Sequence, residues 1–424
     1  MRKAIEKAIK ENFSVISAIG DDLFEHPELG FQEAYTEETI CRYLDSLSVP
    51  YQNEISMHGV KCTIGKEDGY HIAVVADMDA LLTSRDGEMI PFHSCGHSIQ
   101  VAVLLNLITG FVKSGALKAL DGKVSFMFAP AEEFIDMDTR EGLKKAGKIK
   151  YFSGKQNMIM DGLFDDVDLV LSCHVMGPDE NHPDAKFDVN SSLAGFLLKR
   201  AIFRGQASHA GVIPHLGRNA LQAATLSLTA VQMLKDTFSP NANAKVYPIL
   251  KEGGQTPNVI CDHAVIETYI RAADKKNLYQ INSQIDQAFI HCAKALETEC
   301  EIIDTPGYLP LTQNRTINKA VKKNMLKFCK AEQILSDVKS GASGDIGDLS
   351  VLLPTIQFGF SGIEGMIHSS HFEITDKVHV YEDTALVLAD TILDILEDPE
   401  LQIRTPDFKE RKEEYRKSWL KEKE

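Results

Sequence analysis

The chain has 424 residues, of which 44% are hydrophobic and 25% charged, and its formal net charge at pH 7 is −16. This length favours two domains over one compact core, and the composition is ordinary for a globular protein. The acidic balance argues against a nucleic acid or an anionic membrane as partner, since both bind basic patches.

The amino-terminal residues carry Ile5, Ile9, Phe13 and Ile16 at helical spacing among charged side chains. This pattern predicts an amphipathic surface helix over residues 1–20 rather than a signal peptide. No apolar run reaches the ~18–20 residues of a membrane span. The eight cysteines are scattered without a Cys-x-x-Cys pair, which predicts a reducing cytoplasm as the compartment.

The next part of the chain alternates strand and helix patterns. A helix is predicted over 36–46, then short strands over 51–55 and 60–64, and then the near-continuous apolar strand 71–76. Such an unbroken apolar run is typical of a central strand that is covered on both faces. Strand, loop, helix and strand then repeat in the order of a doubly wound α/β sheet.

Four stretches with metal-binding residue types lie at the ends of predicted strands. They are His93 to His97 after 71–76, Pro130 to Glu133 after 124–128, Ser172 to His174 at the end of 167–171, and Ile367 to His371 after 355–360. Open α/β sheets bind ligands at the carboxyl ends of their strands, so we expect these side chains to lie close together. Cysteine, histidine and glutamate together hold zinc or a similar divalent ion, and two ions can share one ligand.

The motif Cys95-Gly96-His97 is the first of these stretches to supply ligands. If the segment is extended, the two side chains point to the same side, and the glycine lets the backbone approach an ion. A buried free cysteine beside a structural histidine is the alternative for this motif taken alone.

The pattern changes after Gly177 with the polar, proline-containing segment 178–184, and we predict a linker just beyond it. Residues 191–305 then predict a compact α+β insert, and its edge strand offers a dimer surface. The α/β pattern resumes afterwards. We therefore predict a catalytic metal-binding domain made of residues 1–190 and 306–424, and an inserted dimerisation (lid) domain made of 191–305.

Several motifs in the chain together match one family in order and spacing. They are His26 to Glu33, Ala76 to Ala80, the Cys95 loop, Pro130 to Glu133, Met160 to Gly162, His174, Gly205 to Gly217, Gly253 to Ile260, Ser343 to Ser350 and His368. Over roughly residues 26–396 the chain resembles the M20 metallopeptidase/amidohydrolase family. The most similar branch has a Cys-Gly-His metal loop and includes aminoacylase-like, hippurate-hydrolase-like and aminobenzoyl-glutamate-hydrolase-like enzymes.

The resemblance implies a zinc-peptidase-like catalytic α/β domain with an inserted dimerisation domain. It also implies two divalent ions, zinc or manganese, held by Cys95 as the bridging ligand, His97, Glu133, His174 and His368. Further roles implied in the same way are general base for Glu132, orientation of the cluster for Asp79, oxyanion stabilisation for His209, and substrate binding for Asn258 and Arg271. Ser98 stands where the branch has Asp or Asn, which predicts weaker binding of one ion.

The resulting hypothesis is a metal-dependent amidohydrolase. It would cleave the amide bond of an N-acyl or N-aroyl amino acid, or of a dipeptide-like substrate, with water activated by Glu132. A dipeptidase or aminopeptidase of the same fold is one alternative, and a catalytically impaired relative that only binds its ligand is another. The expected partners are a small amide substrate and a second copy of the chain, with no nucleic acid and no membrane.

Overall fold

The computed structural model describes residues 1–85 and 87–421, which form two compact units. The first unit comprises Met1–Ser192, Thr312–Val338 and the chain from Asp348 onward. The second comprises Leu193–Leu311 and Lys339–Gly347. Residues 339–347, which the sequence division leaves with the catalytic domain, pack with the second unit. A dimerisation role for the second unit stays a prediction.

The helices and strands follow each other along the chain in the predicted alternation. The helices are α1 (Arg2–Glu11), α2 (Phe13–Glu25), α3 (Ala34–Ser46), α4 (His97–Ser114), α5 (Met137–Lys145), α6 (Gly154–Met160), α7 (Ala220–Leu234), α8 (Lys275–Ala295), α9 (Arg315–Met325), α10 (Ile346–Ser350), α11 (Thr384–Glu397) and α12 (Phe408–Glu414). The strands are β1 (Tyr51–Ile55), β2 (Gly59–Gly65), β3 (Tyr70–Asp77), β4 (Leu81–Arg85), β5 (Glu88–Phe92), β6 (Gly122–Ala129), β7 (Leu169–Val175), β8 (Phe187–Val189), β9 (Gly195–Arg204), β10 (Lys245–Val246), β11 (Ile249–Gly253), β12 (His263–Ala272), β13 (Glu299–Pro306), β14 (Ile334–Ser336), β15 (Thr355–Phe360), β16 (Ile363–Glu364) and β17 (Glu373–Ile374).

The first unit is built on an eight-stranded sheet with the order β1-β2-β6-β3-β7-β15-β8-β14. Its four central strands, β6, β3, β7 and β15, run parallel, so their carboxyl ends meet at one edge. Every residue of β3 is buried, as its apolar run predicts. Helix α4 packs on β3 and is covered in turn by α1, α2 and α11. The predicted α/β fold class is confirmed.

Two local features of the first unit differ from the sequence pattern. The single amino-terminal helix predicted over 1–20 is two helices that meet at Asn12. The buried Asn12 amide donates to Tyr43 Oη at 2.7 Å and contacts Asn106 and Thr109 at 3.3 Å. These bonds lie within the core and tie the junction between α1 and α2 to α3 and α4. The hairpin β4–β5 was not predicted, and the one helix predicted between Glu133 and β7 is divided into α5 and α6.

The second unit has an antiparallel sheet with the order β10-β12-β9-β13, and β11 also pairs with β12. Helices α7 and α8 pack against this sheet. The sequence pattern of residues 244–250 predicts one strand, which the structure divides into β10 and β11, with Pro248 between them. Proline lacks the N–H that a continuous ladder needs, which accounts for the division.

Among residues 1–85 and 87–421, none of the helices combines the length and the apolar content that a membrane crossing requires.

Candidate metal centre

The candidate site lies where the four central parallel strands of the first unit end. Asp79 follows β3, Glu132 and Glu133 follow β6, and His368 comes after β15. His174 is the penultimate residue of β7, since that strand extends to Val175 rather than ending near Leu171. The strand ends thus deliver carboxylates and imidazoles to one edge of the sheet, as strand topology requires.

Cys95 and His97 reach this edge from a tight turn that precedes α4. Gly96 has φ 75 and ψ 20, a left-handed conformation, and His97 is the first residue of the helix. The segment is therefore not extended, and the turn rather than strand alternation places the two side chains. A Cβ atom at position 96 would lie 2.6 Å from Val175 Cγ1, so glycine is required both for the turn and for the close approach to β7.

The structure brings all five predicted ligands together. Ligand atoms of Cys95, His97 and His174 lie within 4.8 Å of one another, and so do those of Cys95, Glu133 and His368. Cys95 Sγ is 3.5 Å from His174 Nε2 and 3.3 Å from His368 Nε2. Glu132, the predicted base, forms a third such group with His97 and Glu133. Cys95 is the residue common to the two groups that consist of predicted ligands alone, so its sulfur is placed where two ions could share it.

Asp79 lies fully buried behind this cluster and holds two of its members. His97 Nδ1 donates to the Asp79 carbonyl oxygen at 2.8 Å and lies 3.1 Å from its Oδ1. The Glu133 N–H donates to Asp79 Oδ2 at 2.9 Å. Since a carbonyl oxygen only accepts, Nδ1 of His97 carries the proton and Nε2 keeps its lone pair for another partner.

The residues present fit a divalent cation. His97 Nε2 and Glu133 Oε1 are buried, and neither has a hydrogen-bond partner within the part of the chain that the structure describes. Buried polar atoms are normally paired, so two such acceptors that face the same cluster are the expected ligand atoms of an ion. The Ser98 hydroxyl is also buried and has no hydrogen-bond partner among the described residues. Asp79, not Ser98, orients the His97 ring.

Burial and mutual charge set the electrostatics of the cluster. Burial and the Glu133 carboxylate raise the pKa of Cys95, whereas burial and His97 lower the pKa of His174 to about 4. Burial alone lowers the pKa of His97, but Cys95 and Asp79 raise it well above its ordinary value. An ion that binds here requires Cys95 as the thiolate and His97 as the neutral imidazole, so metal affinity will rise with pH.

The other predicted site residues, His209, Asn258 and Arg271, belong to the second unit. His209 and Asn258 are both exposed. They lie next to each other because His209 pairs with Val259 in an isolated β-bridge and the Ala210 N–H donates to the Asn258 carbonyl at 2.9 Å. Both side chains are therefore available on the surface of this unit.

Arg271 lies on β12 of the second unit and contacts the segment 339–347. Its guanidinium donates to Ser343 Oγ at 3.2 Å and to the Gly341 carbonyl at 3.4 Å, and it stacks 5.2 Å from the Phe196 ring centroid. Burial lowers the pKa of Arg271. The side chain is thus held in place by a loop that overlaps the Ser343 to Ser350 motif of the family resemblance.

Sequence reasoning missed three buried charged residues near the cluster. Lys155 pairs with Asp77, Arg140 donates to backbone carbonyls around Glu132, and Glu33 accepts from the Ala131 N–H at 2.7 Å. The His26 to Glu33 motif flagged the last of these without giving it a role. Arg140 lies in a charge-rich segment whose pattern resembles that of a solvated helix, so nothing in the sequence indicates that this side chain is buried.

Comparison with known proteins agrees with this geometry. The model of peptidase family M20/M25/M40 matches residues 73–394. The chain belongs to this family. The M20 family comprises hydrolases that act on amide and peptide bonds, so the predicted family and the predicted enzyme class are both confirmed.

Individual relatives are distant but extend over most of the chain. The IAA-amino acid hydrolase ILR1-like 6 of Arabidopsis thaliana is 24% identical over 390 residues, which cover 86% of this chain and 77% of that protein. The Xaa-Arg dipeptidase of Mus musculus is 26% identical over 428 residues, 94% and 90% of the two chains. The solved structure of the YXEP protein of Bacillus subtilis, titled a dinuclear metal-binding peptidase of the M20 family, superposes with a TM-score of 0.70 at 20% identity and covers 92% of this chain and 99% of that chain. This last similarity shows a shared fold.

Proposed function

We propose that this M20 hydrolase cleaves the amide bond of an N-acyl or N-aroyl amino acid, or of a dipeptide-like substrate, and releases a free amino acid. The convergence of five ligand side chains with Glu132 beside them carries the proposal. One relative is named for IAA-amino acid conjugates and another for Xaa-Arg dipeptides, and both names describe an amide next to an amino acid.

The ligand set would hold two divalent ions, zinc or manganese, with Cys95 shared between them. The dinuclear description of the Bacillus subtilis structure supports this stoichiometry. When bound, the ions would supply Lewis acidity, which polarises the amide carbonyl and acidifies water. His97 and His174 would bind through Nε2, because Nδ1 of each donates to a carbonyl oxygen, that of Asp79 and that of Val175.

Glu132 and Glu133 would have different roles in the loop Pro130 to Glu133 after β6, which we call the catalytic loop. A carboxylate bound to an ion is a poor base, so Glu133 would serve as ligand and Glu132 would take the proton from the attacking water. Glu132 would then pass this proton to the leaving amine. Only 8% of Glu132 is exposed, so bulk water has little access to its carboxylate and competes little for the transferred proton.

A homodimer through the second unit is the assembly that we propose. Large apolar side chains are exposed on this unit, with Met233 68%, Tyr247 72% and Ile249 57% accessible. Strand β11 is an open edge of the sheet with exposed residues, which suits pairing with a second copy.

A reducing cytoplasm is the compartment in which we expect the enzyme, since its cysteines are all free thiols in the structure.

Metal analysis followed by a substrate screen tests the function. We expect about two ions per chain, loss of activity on chelation and its return on adding Zn²⁺ or Mn²⁺. N-acetyl and N-benzoyl amino acids should be hydrolysed faster than dipeptides. Turnover of dipeptides alone would establish the dipeptidase alternative, which the mouse relative favours. Binding of these compounds without turnover by the fully loaded protein would establish a binding-only relative.

Arg271→Lys is expected to raise KM about 10-fold or more for substrates with a free carboxylate. A guanidinium holds a carboxylate through two parallel bonds, and a charged hydrogen bond contributes about 1.5–3 kcal/mol. Steady-state kinetics on an acyl-amino acid and on its amidated analogue measure the effect. Ser343→Ala is the control, because it removes a loop contact and keeps the guanidinium. An equal rise in KM for both substrates would rule out the carboxylate contact.

A further inference from the structure

The loop that carries Glu132 has an unfavourable backbone conformation. Ala131, the residue before Glu132, has φ 55, in the left-handed region that residues with a Cβ atom rarely adopt. Such a conformation persists only where the surrounding contacts fix it. The groups that hold Ala131 therefore also fix the direction in which the next two side chains leave the backbone.

Two buried side chains hold the Ala131 peptide groups from opposite sides. Glu33 Oε1 accepts from the Ala131 N–H at 2.7 Å, and Arg140 Nη1 donates to the Ala131 carbonyl at 3.4 Å. Arg140 also donates to the carbonyl of Glu133 through Nη2 and to that of Phe152 through Nη1. One planar guanidinium thus binds carbonyl groups on both sides of Glu132.

Arg140 reaches this position from α5 and is almost fully enclosed. Only 1% of the residue is exposed, and its guanidinium lies 5.3 Å from the Phe31 ring centroid. Gly30 allows the close packing, because a Cβ atom there would lie 2.7 Å from Arg140 Nη2 and 2.8 Å from Ala131 Cα. Within residues 1–85 and 87–421, Arg140 has no carboxylate at ion-pair distance, so its hydrogen-bonding capacity is directed to backbone carbonyls.

We propose that Arg140 is a positioning residue of the catalytic loop. By binding the carbonyls of Ala131 and Glu133 it fixes the peptide planes around Glu132, which directs Glu132 and Glu133 toward Cys95 and His97. A lysine has one point charge and cannot span the same carbonyls in a rigid fork. The role of Glu132 as base rests on the proposed function, whereas the placement of Glu133 beside the other ligand atoms does not.

Arg140→Ala and Arg140→Lys test the proposal, with Leu143→Ala as the matched control. Leu143 lies on the same helix and packs on the cluster of Phe31, Ala131 and Ile149, so its truncation weakens the attachment of α5 without touching the guanidinium. The readouts are kcat, KM, the rise in Tm on adding Zn²⁺ or Mn²⁺, and rescue by millimolar guanidinium ion, far below denaturing concentrations.

We expect both Arg140 variants to lose about 10-fold or more in kcat, since misplacement of a reacting group by ~1 Å costs about 10²-fold. KM should change less than about 3-fold, because Arg140 is enclosed and is not available to bind substrate directly. Guanidinium should restore part of kcat in Arg140→Ala and none in Leu143→Ala. The metal-induced rise in Tm should shrink in both Arg140 variants and persist in Leu143→Ala.

A loss of kcat in Leu143→Ala equal to that in Arg140→Ala, or no rescue by guanidinium, would overturn the proposal and leave Arg140 a purely structural residue. If the wild type hydrolyses no amide, the proposed function fails, and the metal-induced rise in Tm decides the positioning role alone. If Arg140→Ala does not fold, the comparison of Arg140→Lys with Leu143→Ala decides it by the same readouts.

Discussion

Replacement of Glu132 by glutamine is expected to lower kcat by about 10²–10⁴-fold while metal content and fold are retained. Glutamine keeps the shape of the side chain but cannot take up the proton of the attacking water. Glu132 lies in one group with His97 and Glu133, close enough to act on a substrate at the same ions. For the purified variant, steady-state kinetics measures kcat, metal analysis measures the bound ions, and the metal-induced rise in Tm reports on the fold and its metal site.

The matched control is Glu133→Gln, the same chemical change one residue further along. Its carboxylate has a buried oxygen without a hydrogen-bond partner among the described residues and lies 3.4 Å from His368 Nε2, so its loss should remove bound metal. Loss of metal from Glu132→Gln together with retention in Glu133→Gln would exchange the two roles and refute this division of labour.

His209→Ala is expected to lower kcat by about 10²–10³-fold, the usual effect of removing one oxyanion donor. His209 is exposed on the second unit, and its Nδ1 accepts from the Gly211 N–H at 3.2 Å. That bond leaves Nε2 as the nitrogen that carries the proton and can donate to a developing oxyanion. KM should change much less than kcat, because the contact forms mainly in the transition state.

Mixing inactive His209→Ala with inactive Glu132→Gln shows which subunit supplies the histidine. In each mixed dimer, one of the two sites keeps both residues if His209 acts on the partner's site, and activity then returns as subunits exchange. If His209 acts within its own chain, every site lacks one residue and the mixture stays inactive. The control is the same mixture held under conditions that prevent exchange.

Much of the secondary structure could be predicted from local pattern. The strands predicted over 51–55 and 355–360 have those bounds in the structure. For 355–360 the reason is an apolar run of strand length, which specifies burial directly, whereas 51–55 is a largely exposed strand. The sequence pattern also predicts helices over 36–46 and 383–396, and both lie within a few residues of the bounds of α3 and α11. The failures, such as the break at Asn12, arise where side chains from distant elements meet in the core.

The sequence by itself determined the residue types of the metal centre and their placement at strand ends, since both depend on short motifs and on the alternation of strand and helix. Cys95 and His368 are 273 residues apart in the sequence. Only the tertiary structure decided that Cys95 Sγ lies 3.3 Å from His368 Nε2, because the order of strands in the sheet is a long-range property. It also decided the left-handed turn at Gly96 and the burial of Arg140. A charged residue in a polar segment has the same local pattern whether water or the carbonyls of a catalytic loop surround it, and only packing distinguishes the two.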